Sequence, residues 1–240
     1  MGTFTKWLAG GLGWAFFGPL GGILGFVLGS FIDSSDITQQ KKPDGTTTTG
    51  DFAVSLLVLV AAVMKADGKV LRSELDYVKA YFIKVFGESS AGEAMILLRD
   101  LLKQEIDMKA VTLQIRSRLD YASRLQMLHF LYGIANADNR LHPGELNILQ
   151  LIAGYLGISA RDQVSIKAMF FDEIDASYKI LEVSPSATNE EIKKAYRSMA
   201  VKYHPDKVAY LGEDIKRAAN EKFQKVNESY EKIKKERGIV

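Results

Sequence analysis

Apolar and polar positions along the chain fall into three regimes, each marking a different kind of segment. Between Lys6 and Asp33 no charged residue occurs. As a helix that run of about 26 residues would reach about 39 Å, enough to cross a hydrocarbon core of about 30 Å with some tilt. A signal peptide has a shorter apolar region, and no clear small-x-small cleavage site precedes Asp33. The expectation is a transmembrane anchor over residues 1–32. Gly18 and Gly22, and Gly21, Gly25 and Gly29, make overlapping G-x-x-x-G spacings. Such a stripe lets two helices approach closely and points to a homodimer through this span. Glycine is also common in membrane helices generally, and Pro19 would kink this one. Lys6 precedes the span and Lys41 and Lys42 follow it, a basic excess that favours a cytoplasmic C-terminal part. Residues 33–50 are polar, with little to bury, and read as a flexible linker.

From Asp51 the pattern turns helical. Leu56, Leu59, Val60 and Val63 recur at helix spacing and lead into a turn at Ala66, Asp67 and Gly68. Leu71, Leu75, Val78 and Phe82 mark a second helix. About 71 residues later the plan returns. Leu128, Leu131 and Ile134 lead into Ala137-Asp138-Asn139, and Leu141, Leu146 and Leu149 follow. Intervening helices are expected near 91–104 and 108–119. The repeat has a mechanical explanation. Gly68 and Asn139 tolerate the positive φ that closes a helix, Pro143 suits a first turn, and Glu74 and Glu145 sit early in helices, where the dipole favours negative charge. An all-α domain over residues 51–172 is the expectation.

Residues 173–240 form a third regime. DASYKILEV suggests a short helix with Tyr178 and Leu181 on one face, ended by Ser184-Pro185. Thr188 and Glu191 have capping-box spacing and launch a second helix. Ile192, Ala195, Tyr196, Met199, Ala200 and Tyr203 make its apolar stripe, while Lys193, Lys194, Arg197 and Lys202 fall largely on the remaining surface. His204-Pro205 must stop it. A further helix runs from about Glu213 to Lys234, with Phe223, Val226, Tyr230 and Ile233 on its inner face. The expected architecture is a helical hairpin with an exposed loop at its tip.

Composition narrows the chemistry. With no cysteine, disulfides, thiolate zinc sites and cysteine nucleophiles are excluded. His129, His142 and His204 are too dispersed for a histidine metal cluster. A net charge of +2 does not by itself imply nucleic acid, no groove-reading motif is evident, and acidic residues interrupt the C-terminal lysines. The paired carboxylates lack an accompanying nucleophile, phosphate loop or histidine pair, so the chain reads as a non-enzyme, with no cofactor.

Two resemblances sharpen this reading. KADGKVLRSE and NADNRLHPGE resemble the TerB (tellurite-resistance) helical domain, over roughly residues 50–170. In that family the acidic turns have been associated with metal, which here would make Asp67, Glu74, Asp138 and Glu145 hard-oxygen candidates. Neither turn matches an EF-hand, and turn-and-cap chemistry is the preferred account. YKILEV, EEIKKAYRSMAVKYHPDK and KFQKVNESYEKI resemble the J-domain of DnaJ-type proteins, in order and spacing. The whole layout is similar to bacterial membrane-anchored proteins of the DjlA type, which implies single-pass insertion in the inner (cytoplasmic) membrane with both helical domains in the cytoplasm. The J-domain resemblance implies a DnaK-type ATP-dependent chaperone as partner. His204, Pro205 and Asp206 would dock on it, and Lys193, Lys194, Arg197 and Lys202 would supply a steering positive face. ATP hydrolysis would occur in the partner. A membrane scaffold whose TerB-like domain binds a protein or a divalent metal is the alternative. Glu182, where the J-domain family often has glycine, and Ser198, where a basic residue is frequent, depart from the pattern. A fourth family helix is at best truncated, and no Gly/Phe-rich linker or client-binding β-domain comes after it.

Overall fold

The computed structural model describes residues 49–65, 68, 70–138, 142–171 and 175–239. The expected anchor, nearly all of the linker, Asp67 and Asn139 lie outside the described residues. All the regular structure within them is helical: α1 (Thr49–Met64), α2 (Arg72–Phe86), α3 (Glu88–Leu101), α4 (Met108–Arg118), α5 (Tyr121–Ala135), α6 (Pro143–Tyr155), α7 (Ala160–Ala168), α8 (Ala176–Ile180), α9 (Asn189–Lys202), a 3₁₀ segment (Pro205–Leu211) and α10 (Glu213–Arg237). None of these helices is long and apolar enough to cross a membrane.

The repeat seen in the sequence is a structural one. Helix α1 packs against α3, α4, α5 and α6, and α5 packs against α1, α2, α6 and α7. Exchanging α1 with α5 and α2 with α6 turns the α1–α6 contact into the α2–α5 contact and keeps α1 against α5. The spacing of Leu56, Leu59, Val60 and Val63 suggests one apolar face, but every side chain from Phe52 to Met64 is buried. A helix that is apolar all round belongs in the middle of a bundle, and α1 takes that place. Helix α5 accompanies it, with Leu125, Met127, Leu128, Phe130, Leu131 and Ile134 all buried.

The repeated turns are built on caps. The Leu71 N–H donates to Glu74 Oε2 at 2.7 Å, and the His142 N–H donates to Glu145 Oε2 at 2.9 Å. Each buried glutamate thus satisfies a donor that the helix start leaves orphaned. Gly68 takes φ +76°, the left-handed turn its lack of a Cβ permits. Two of the four metal candidates are accordingly held as caps. Asp138 lies in the turn after α5. Among the described residues no three histidine, aspartate or glutamate side chains converge as a metal site would require.

Helices α9 and α10 form the hairpin. Tyr196 stacks on Tyr230 at 4.1 Å between centroids, and His204 meets Phe223 edge-on at 5.6 Å, so the two helices run antiparallel. Ile192, Met199, Val226 and Ile233 fill the space between them. At the open end, the Arg237 guanidinium donates to Tyr178 Oη and to the carbonyls of Ala187 and Pro185, tying the end of α10 to the loop before α9. One placement corrects the sequence reading. Phe223 is only half-buried beside His204, and its neighbour Lys222 occupies the inner stripe, 3% exposed. Buried positions on α10 run Ile215, Ala218, Ala219, Lys222, Val226, Ser229 and Ile233, and the lysine sits in that series.

The hairpin rests on the bundle rather than standing free. Helix α8 packs on α7, the 3₁₀ segment on α5, and α10 on α2. Ser165 Oγ donates to the Ile180 carbonyl at 2.8 Å, Ser123 Oγ and Tyr210 Oη share a hydrogen bond at 2.7 Å, and Lys84 pairs with Glu221. Within this seam lie two basic groups, the buried Lys222 and the half-buried His129. Burial pushes Lys222 down to about 7, against the opposing pull of Asp162, and its ammonium lies 4.7 Å from the Tyr203 ring centroid. Burial, reinforced by the charges of Lys222 and Lys225, pushes His129 down to about 3.

Both values lie below those of an unfolded chain, so the unfolded state holds the extra proton between them. Stability therefore rises with pH across about 3–6.5 for His129 and from about 7 upward for Lys222. Carboxylates are fully ionised and tyrosines fully protonated between about pH 7 and pH 9, so Lys222 governs that window. Unfolding free energies from urea titrations followed by circular dichroism should climb across it, by an amount of order 1–3 kcal/mol. In Lys222→Met the climb should vanish; an unchanged slope would show that the ammonium is not held in a desolvated site.

Candidate functional site

The sharpest feature of the hairpin is its tip. Thr188 starts α9 with the expected capping box: its N–H donates to Glu191 Oε2 at 2.7 Å, and its Oγ1 accepts from the Glu191 N–H at 3.3 Å. The helix ends at Lys202, and the Tyr203 N–H closes the last turn on the Met199 carbonyl at 2.9 Å. The chain beyond Tyr203 is more ordered than the loop expected from sequence. Pro205 opens a 3₁₀ segment whose Pro205, Val208 and Leu211 fall at three-residue steps and are all buried. His204 caps that segment, its Nδ1 accepting from the Asp206 N–H at 3.2 Å, so the neutral ring carries its proton on Nε2.

This geometry separates the three tip residues. His204 and Asp206 are exposed, their side chains 50% and 62% accessible. Pro205 is buried beneath them, so it shapes the loop rather than offering a surface. Asp206 Oδ1 receives Lys216 Nζ from α10 at 2.9 Å, and this bond holds its carboxyl below the usual carboxylate range. A fixed carboxylate next to a fixed imidazole is a compact, charged probe.

The basic side chains divide as well. Lys194 and Arg197 are exposed on α9, on one face with Ser198, Val201 and, beyond the helix end, His204. Lys193 lies on the flank, half-buried, 3.8 Å from Glu190. Lys202 is a correction to the sequence reading. It turns inward, 29% accessible, to bridge Glu182 Oε1 at 2.9 Å and Asp162 Oδ1 at 3.0 Å. Burial lowers its pKa, but the bonds to Glu182 and Asp162 outweigh that and raise it.

Asp162 was not singled out by the sequence pattern. It sits on α7, 3% exposed, and its carboxylate accepts four donors. Ser159 Oγ and Tyr121 Oη donate to Oδ2 at 2.6 and 2.7 Å. Tyr203 Oη and Lys202 Nζ reach Oδ1 at 3.1 and 3.0 Å. Burial raises its pKa, yet the bonds from Ser159, Tyr121 and Lys202 prevail and hold it ionised below the ordinary range. The legible signal was Ser159-x-x-Asp162, a helix-start spacing just after Gly157. It marks the helix, and nothing in it marks the partner.

Comparison with known proteins places each segment. Residues 1–47 match the co-chaperone DjlA transmembrane domain, residues 53–168 the tellurite resistance protein TerB, and residues 176–238 the DnaJ domain. The chain is a J-domain co-chaperone with a DjlA-like layout. It is 27% identical over 237 residues to the co-chaperone protein DjlA of Vibrio parahaemolyticus, covering 83% of this chain and 82% of that one. It is 23% identical over 259 residues to that of Coxiella burnetii, covering 95% and 96%. A 54-residue stretch is 48% identical to the chaperone protein DnaJ of Fusobacterium nucleatum, covering 22% of this chain and 14% of that one. No solved structure matches. The transmembrane match lies over the uncharged run and makes this J-domain protein a membrane-anchored one.

The J-domain's departure at Glu182 has a structural cause. Glu182 takes φ +58°, the left-handed conformation that ends α8 and that glycine adopts without strain. A glutamate there is strained by about 1 kcal/mol, and its carboxylate recovers this through Lys202. Glu182→Gly should therefore stay within about 1 kcal/mol of the parent, trading the bond for a relaxed backbone. Glu182→Ala keeps the strain and loses the bond, so its unfolding free energy from urea titration should fall below that of the glycine variant by about 1 kcal/mol. Equal free energies would show that the backbone at this position is not strained.

Proposed function

We propose that this co-chaperone docks on a DnaK-type chaperone through His204, Asp206 and the exposed face of α9, and thereby stimulates ATP hydrolysis in that partner. The observation that carries the proposal is the tip itself, with two polar side chains held outward at the start of a 3₁₀ segment whose Pro205, Val208 and Leu211 are buried. Asp206 offers a carboxylate to a partner cation, and a charge-assisted bond of that kind is strong where water is excluded. Lys194 and Arg197 steer the approach to an acidic surface, with Lys193 on the flank. Pro205 sets the loop's course from below. Lys202 is left out of this face because Glu182 and Asp162 hold it.

Stimulation is then a population shift. A ligand drives a two-state partner only as far as it binds one state better than the other. Chemistry stays in the partner, and this chain supplies the differential contact. We further propose that the membrane span pairs two copies through Gly21, Gly25 and Gly29, and that both helical domains face the cytoplasm, where ATP-charged partners are. The support is the glycine spacing and the lysines that follow the span.

In a single-turnover ATPase assay with a bacterial DnaK-type chaperone, the full chain in detergent should accelerate hydrolysis. His204→Gln should return the rate to the partner's basal value with an unchanged circular dichroism spectrum; retained stimulation would end the docking proposal. Arg197→Glu should raise the half-saturating concentration about tenfold at low salt, and less at high salt. A salt-independent effect would mean that Arg197 does not steer.

A further inference from the structure

The far end of the tip segment is fastened to the TerB-like bundle through Tyr210 and Ser123, and its near end through a carboxylate. Tyr203 is the residue immediately before His204, and its hydroxyl donates to Asp162 Oδ1 at 3.1 Å. Lys202, the residue before that, bonds the same oxygen at 3.0 Å. The two residues on which the loop pivots are therefore both held by one carboxylate of the other domain. That carboxylate is itself immobilised from its own side by Tyr121 and Ser159. Burial and the neighbouring Asp162 charge raise Tyr203's pKa, so its hydroxyl stays a donor under ordinary conditions.

From this arrangement we infer that Asp162 is a positioning residue for the co-chaperone's output, acting through Tyr203 and Lys202 on the His204-Pro205-Asp206 loop. The inference rests on the docking function proposed above. It assigns the TerB-like bundle a part in stimulation that is separate from membrane attachment or client choice.

The physical reasoning separates binding from output. The bundle packs on α8, the 3₁₀ segment and α10, and leaves the Lys194, Arg197 and Val201 face exposed. Loss of the Asp162 anchor does not touch that face, so the encounter and most of the affinity are retained. What changes is the stiffness of the loop base. A loop held at a fixed angle makes contacts that fit one state of the partner and not the other. A loop free to pivot fits both states more equally, and a ligand with equal affinity for two states shifts nothing. Maximal stimulation therefore falls while half-saturation stays.

The test uses the full chain and the same DnaK-type ATPase assay, titrated to saturation well below the melting temperature. Asp162→Asn should lower maximal stimulation at least threefold, with the half-saturating concentration changed by less than about twofold. Should Asp162→Asn fail to fold, Tyr203→Phe carries the test alone, because it removes one hydroxyl and keeps the ring under Lys222; the same split is expected. Lys84→Ala breaks a different contact across the same seam, the ion pair with Glu221, and should stimulate like the parent. If Tyr203→Phe and Asp162→Asn reach the parental maximum while His204→Gln is inactive, the positioning role is overturned and the docking proposal stands. If His204→Gln also stimulates, the docking proposal falls and this inference with it. An equal loss in Lys84→Ala would mean that any loosening of the seam suffices, and would overturn the specific role of Asp162.

Discussion

A buried carboxylate is unfavourable unless donors replace the water it loses, and Asp162 has four of them on two oxygens. Two come from the bundle and two from the hairpin, so neither domain alone completes the set. Taking an ionised group out of water costs several kcal/mol, and the balance holds only while the geometry holds. The same bonds that make the site tolerable thus specify how the domains meet. An apolar seam could slide by a rotamer; a carboxylate with a lysine and two tyrosine hydroxyls aimed at it cannot do so without leaving a donor or acceptor unpaired. The rest of the seam agrees with this register, since Ser165 to the Ile180 carbonyl and Ser123 to Tyr210 are also directional.

The bundle is suited to serve as the fixed side of that contact. Its two central helices are buried almost all round, and dense interiors transmit strain rather than absorb it. Helix α7, which carries Asp162, packs directly on the central α5. Its start is further fixed by the Ser159 cap, which accepts from the Asp162 N–H at 3.2 Å. From the core to the loop base the path runs through packed helix, cap, carboxylate and tyrosine. Each link is short and has few alternative arrangements.

Much of this fold was legible because it depends on local periodicity. The helices expected near 91–104 and 108–119, of which the first lies three residues earlier at Glu88–Leu101, the Thr188–Glu191 box and the stop at His204 all derive from spacing and from proline's effect on its neighbour. The repeated glutamates were legible as helix-start residues and proved to be caps. Other features depend on which surfaces meet, and spacing is silent there. Lys202 reads as one more base on a solvated face, and only Asp162 and Glu182, 40 and 20 residues before it, turn it inward. The three- and four-residue spacing of Phe223, Val226, Tyr230 and Ile233 points Phe223 inward, whereas the four-residue steps from Ala218 to Val226 pass through Lys222. The 3₁₀ segment had a signal in Pro205, Val208 and Leu211, a three-residue apolar spacing that is easily missed beside a proline.

The departure at Glu182 and the inward turn of Lys202 belong to one arrangement. A glycine at position 182 would end α8 without strain but would leave Lys202 with a single partner. With Glu182 there, Lys202 has a carboxylate on each side, one from its own domain and one from the bundle. Its charge is then balanced inside the hairpin before the bundle contributes, so Asp162 can engage Tyr203 without having to neutralise the lysine alone. The strained residue at the end of α8 and the buried acid on α7 thus divide one task, which is to hold the last turn of α9 still where the tip begins.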